Sequence, residues 1–161
     1  MELFLAQNHA PLTHIPIAAS ILAALAAIAS LFYKKQELTW MWAILAIVAF
    51  VACIPTIVTG VLAAIGRFYI EEGFIVPDTP ENADIRLHQQ LGSIGAIVAL
   101  IGAVLGVRRL MGKMPNKILV VAVSLTLAVM WGIGGHMGGK ALWAPETFPA
   151  YEDMLPDDSD G

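Results

Sequence analysis

Four stretches of this chain, Ile15 to Tyr33, Trp40 to Gly66, Leu91 to Val107 and Ile118 to Gly139, contain no Asp, Glu, Lys or Arg. A bilayer core of about 30 Å is crossed by about 20 helical residues at 1.5 Å each, so every stretch spans it or nearly does. Backbone amides in lipid must be satisfied within their own segment, and runs rich in Ala, Leu, Ile and Val do so as helices rather than as barrel strands. The expected fold class is therefore all-α, an integral membrane up-down four-helix bundle. Of the 161 residues 58% are apolar and 14% charged. An ordinary soluble domain carries roughly 25% charged residues, so a water-soluble globule is excluded.

Two connections set the neighbours. Lys34-Lys35-Gln36-Glu37 is short and makes the first two helices antiparallel. Arg108 to Lys117, broken by Pro115 and Asn116, does the same for the last two. These connections hold Lys34, Lys35, Arg108, Arg109, Lys113 and Lys117, six of the nine basic residues. The positive-inside rule then puts both termini and the Arg67 to Arg86 loop on the outer, periplasmic side of a bacterial inner membrane crossed four times. Trp40 and Trp42 at one boundary, with Tyr69 and Trp143 at the other, read as interfacial anchors. Residues 1–143 form the transmembrane domain. Residues 144–161 are a Pro- and Asp-rich periplasmic tail that orders only against a partner. The first 30 residues carry no Lys or Arg, so the first helix is expected to be retained rather than cleaved as a signal. A single cysteine, Cys53, excludes an intrachain disulfide, and no basic cluster marks a nucleic-acid footprint.

All four histidines fall on the outer side under this topology: His9 and His14 at the start of helix one, His88 at the start of helix three, His136 near the end of helix four. An ionisable residue at that depth points to a functional site. His88 is followed along its own face by Gly92, Gly95, Ala99, Gly102 and Gly106, and helix four ends in a glycine-rich run from Gly132 to Gly139. Small residues let helix backbones approach, and beside histidines they also leave room for a flat macrocycle. A buried haem b takes two axial imidazoles from different helices. Helices one and three are diagonal in an up-down bundle, so His14 and His88 are the expected ligands of a haem iron. His9 and His136 are assigned to a second haem or to hydrogen bonds with propionates, a role open also to Arg67 and Arg86. Met137 is an alternative ligand. Pro55, with Thr56 and Thr59, is expected to kink helix two, threonine hydroxyls taking up the freed carbonyl.

The sequence holds no Gly-rich phosphate loop, no Ser/His/Asp set and no acidic pair within the apolar stretches, so catalysis by this chain alone is not expected. Two functions remain. The first is a membrane subunit that binds one or two haem b groups near the periplasmic surface and passes electrons between quinol and a periplasmic cytochrome or enzyme partner. The second is a cofactor-free structural subunit of a larger respiratory or photosynthetic membrane complex. A zinc or copper carrier ranks below both, because structural zinc favours tighter spacings than that from His9 to His14.

The run His9-Ala10-Pro11-Leu12-Thr13-His14-Ile15-Pro16-Ile17 resembles the His-Pro-x-x-x-His-Phe-Pro opening of small four-helix bacterial membrane proteins grouped as domain of unknown function 2231. Thr59-Gly60, Arg86-Leu87-His88 and Gly134-Gly135 look like the family's later signposts, so the likeness covers about residues 9 to 143. Ala10 stands where proline is usual and Ile15 where an aromatic is usual; His136 has no regular counterpart. The resemblance implies the four-helix fold and association with respiratory or cytochrome-containing complexes. It extends a haem-ligand role to His9, His14 and His88 only.

Overall fold

The computed structural model describes residues 9–68 and 83–143. They form four helices, α1 (His9–Phe32), α2 (Gln36–Phe68), α3 (Ala83–Leu110) and α4 (Lys117–Trp143). Each contains a segment long and apolar enough to cross a membrane: Pro11–Phe32, Gln36–Leu62, Ala83–Leu110 and Lys117–Gly138. The described residues form helices joined by two short connections, and the chain reads as a multi-pass membrane protein. The expected Arg67 to Arg86 loop is shortened from both sides, since α2 runs to Phe68 and α3 begins at Ala83, which places Arg86 inside a helix. Tyr69, the side chains of Arg67 and Trp143, and the acidic tail 144–161 lie outside the described residues.

α1 packs on α2 and α4, and α3 packs on the same two, so α1 and α3 face each other along a diagonal. What sits between them is small. Ala19, Ala23, Ala27, Ala43, Ala46, Ala49 and Ala99 are buried, whereas Leu22, Leu25, Val51, Ile97, Val104 and Val129 are each more than half exposed. Lipid tails are as apolar as leucine, so burying leucine between membrane helices gains little, while alanine and glycine let backbones close up. The same logic explains two glycines of the α3 stripe. A Cβ on Gly106 would stand 2.7 Å from the carbonyl oxygen of Ala43 on α2, and one on Gly95 would overlap the Trp131 indole.

Trp42 and Trp131 are the large exceptions in the core. Trp42 meets the requirement that a buried indole find an acceptor by donating Nε1–H to Ser124 Oγ at 2.8 Å, and Ser124 donates in turn to the Val120 carbonyl at 2.8 Å. The α3–α4 turn is closed by Gly112, whose φ of 81° is the left-handed conformation that ends a helix. Its N–H reaches the Arg109 carbonyl at 3.0 Å while Lys113 N–H reaches that of Arg108 at 2.9 Å. Asn116 then caps α4, its Oδ1 accepting from Ile118 N–H at 2.8 Å and Leu119 N–H at 3.3 Å. α2 continues through Pro55. Thr56 donates to the Ala52 carbonyl at 2.9 Å and Thr59 to that of Pro55 at 2.9 Å, so neither hydroxyl takes up the Val51 oxygen that the proline leaves without its helical donor, contrary to the expectation from sequence.

Candidate functional site

His9 is the first residue of α1 and His88 lies in the second turn of α3. The diagonal arrangement brings them together. Their ring centroids are 6.1 Å apart with planes at 85°, and both side chains are half-buried. Each ring is held through Nδ1. His88 Nδ1 lies 2.7 Å from the carbonyl oxygen of Gly134 on α4, and a carbonyl only accepts, so Nδ1 donates. His9 Nδ1 lies 3.2 Å from the hydroxyl oxygen of Thr59, which is itself buried. The single hydroxyl proton of Thr59 is drawn to the carbonyls of Pro55 at 2.9 Å and Thr56 at 3.1 Å, leaving its oxygen to accept from His9 Nδ1–H. Burial, and after it the neighbouring His88, holds the His9 imidazole below its ordinary pKa range. His9 therefore favours the neutral form that a metal ligand must adopt.

Glycines back both rings. A Cβ on Gly60 would stand 2.8 Å from His9 Cε1, and one on Gly138 would stand 2.8 Å from His88 Cε1 and Nδ1. Alanine at either place would displace an imidazole. Gly92, one turn beyond His88 on the same face of α3, is half-buried with no heavy atom within 4 Å of where its Cβ would stand. That leaves open space at Gly92, one turn along α3 from His88.

The other two histidines are placed differently. His14 is exposed on α1 and His136 is exposed on α4. His14 follows His9 by five residues, about 140° around a helix, so a face that turns His9 toward α3 turns His14 away. His136 stands two residues beyond Gly134, about 160° around α4, with the same result. The structure thus brings His88 together with His9 and leaves His14 and His136 apart from them. Thr59 was read from the sequence as support for a proline kink; its contact with His9 makes it part of the site. Gly60 was noted only as part of the Thr59-Gly60 signpost, and Gly138 was hidden among the glycines at the end of α4; the ring contacts give both a place in the site.

Four short segments marked out by the sequence, one on each helix, meet at this point: His9, Thr59-Gly60, His88 and Gly134-Gly135. Gly135 lets α4 approach α1 about two turns beyond His9, its Cβ position lying 2.9 Å from Ile17. The pair offers two imidazole donors, and among the described residues no group of three His, Cys, Asp or Glu side chains gathers to hold a metal ion. Iron in a porphyrin asks the protein for axial ligands only. Comparison of the chain with protein-family models, with curated proteins and with solved structures finds no match in any of the three.

Proposed function

We propose that this chain is a membrane subunit that holds haem b between His9 and His88, near the outer surface of a bacterial inner membrane, and serves electron transfer between quinol and a periplasmic cytochrome or enzyme partner. One observation carries the reading: two imidazoles from diagonal helices, each fixed through Nδ1, stand with centroids 6.1 Å apart. Two imidazoles from separate helices are the donor set that would hold a haem iron; an edge-to-face pair in direct contact spans about 4.5 to 7 Å between centroids, so ligand binding and not distance tests the reading.

The chain's own contribution is positioning. Thr59 and the Gly134 carbonyl fix ring orientation and raise the basicity of each Nε2, as hydrogen bonds to the far nitrogen of a ligating histidine generally do. Gly60 and Gly138 let α2 and α4 come up behind the rings. A bound haem supplies a one-electron carrier at this end of the bundle. The basic connections lie at the opposite end, so the positive-inside rule makes the histidine end the periplasmic one, with both termini outside. The likeness to the domain of unknown function 2231 family belongs to the same reading, because the residues that carry it are largely those gathered here.

The test is an optical spectrum of the full chain purified from membranes. Resolved α and β bands on reduction, lost in His9→Ala and His88→Ala and kept in His14→Ala and His136→Ala, are expected. Protein isolated from haem-replete cells without such bands overturns the proposal. If His9→Ala and His88→Ala instead abolish assembly into a larger complex with no change in absorbance, the chain is the cofactor-free structural subunit.

A further inference from the structure

Trp131 on α4 is 7% exposed. A buried indole N–H ordinarily meets an acceptor, as that of Trp42 does at Ser124. That of Trp131 meets none among the described residues. Its nitrogen is pressed against Gly95 on α3, where a Cβ would overlap it, so the polar edge of the ring is turned to the glycine stripe of α3. One turn toward His88 on that stripe stands Gly92, half-buried, with no heavy atom within 4 Å of its Cβ position. The rise between the two glycines is about 4.5 Å. A buried donor without a partner and an open place beside the helix backbone therefore lie within one turn of each other.

A buried polar group left unpaired is costly, and native structures answer it from the protein, a water or a ligand. The chemistry narrows the occupant. An indole N–H only donates, so the occupant brings an acceptor atom. Gly92 and Gly95 put no side chain on the α3 wall, which suits a flat ring lying against backbone. Ile94 and Ile97 beside them are each more than half exposed, so α3 faces lipid here and the occupant arrives from the bilayer. A membrane-soluble flat ring with oxygen acceptors on its edge is a quinone. We propose that a quinone headgroup docks at Gly92 with one of its oxygens accepting from Trp131 Nε1–H. The choice of a quinone rests on the electron-transfer reading above, and the site gives that reading a place: Gly92 is about 6 Å of helix rise from His88.

The experiment titrates short-chain ubiquinone and menaquinone analogues, in turn, into the full chain in a non-ionic detergent and follows the heat of binding. The matching alkylbenzene, which has the ring without the oxygens, controls for partition into micelles. Saturable binding of either quinone and none of the alkylbenzene is expected. Trp131→Phe keeps an aromatic ring and removes the N–H. It should weaken binding roughly fivefold, the loss of one hydrogen bond, while the unfolding midpoint without quinone stays level or rises, because the variant buries no unpaired donor. Gly92→Val fills the open place and should abolish binding, whereas Gly132→Ala on the exposed face of α4 should leave it unchanged. Quinone binding is measured apart from the haem bands: bands without binding overturn this inference alone, and binding without bands overturns the haem reading alone. Absence of saturable binding, or binding in Trp131→Phe or Gly92→Val equal to that of the unaltered chain, overturns the proposal.

Discussion

His9 and His88 meet edge to face across the diagonal between α1 and α3, with ring centroids 6.1 Å apart and planes at 85°. Neither ring is free to turn, because Thr59 holds one and the Gly134 carbonyl the other. All four helices therefore contribute to one pair of imidazoles, and substitutions on α2 and α4 should be felt there as strongly as substitutions of the histidines' own neighbours.

Replacing Thr59 by valine keeps the shape of the side chain and removes the acceptor of His9 Nδ1–H. A half-buried donor left unpaired costs about 1–3 kcal/mol, and loss of such a supporting contact typically lowers metal affinity about 10- to 100-fold. Thermal unfolding and haem retention should both fall in Thr59→Val and recover in Thr59→Ser, which restores the hydroxyl.

Gly138→Ala places a methyl where the structure has His88 Cε1 and Nδ1 2.8 Å from the Cβ position. The ring is tied to Gly134 and cannot withdraw without stretching that bond. Haem retention is expected to drop while helix content by circular dichroism stays unchanged; equal retention in the variant and the unaltered chain would count against the packing described here.

The contact between α2 and α3 is tested by Gly106→Ala. Its Cβ would stand 2.7 Å from the Ala43 carbonyl oxygen, and with backbone on both sides the helices must separate. Overpacking of this kind costs about 1–3 kcal/mol. Gly132 is exposed with no heavy atom within 4 Å of its Cβ position, so Gly132→Ala should leave stability unchanged or raise it by about 0.5–1 kcal/mol. Unfolding midpoints in detergent compare the two.

Ser124→Ala removes the acceptor of the Trp42 indole, which is 2% exposed and has no route to water. A stability loss of about 1–3 kcal/mol is expected, with a shift in tryptophan emission as the indole loses its bond.

The four spans were legible in the sequence because each charge-free run is long enough to cross a bilayer as a helix, which satisfies its backbone within the segment. The diagonal relation of helices one and three followed from the two short connections. Which histidine on helix one faces inward did not, because His9 and His14 are equally close to the expected boundary. Only the rotation of α1, set by alanine packing against α2 and α4, chooses between them. Thr59 sat in plain view beside Pro55, but its partner is 50 positions away in the chain. Arg109 was read as a mark of membrane sidedness, since charge at a helix end ordinarily snorkels outward; its inward turn depends on Thr39 and Trp40 at the start of α2.

Electron paramagnetic resonance of the oxidised full chain tests the central claim most directly, because a low-spin ferric signal reports whether imidazoles would hold a haem iron. The account predicts a low-spin ferric haem signal, absent from His9→Ala and His88→Ala and retained in His14→Ala and His136→Ala. Absence of any low-spin haem signal from the haem-replete protein, or its survival without His9 and His88, would contradict it.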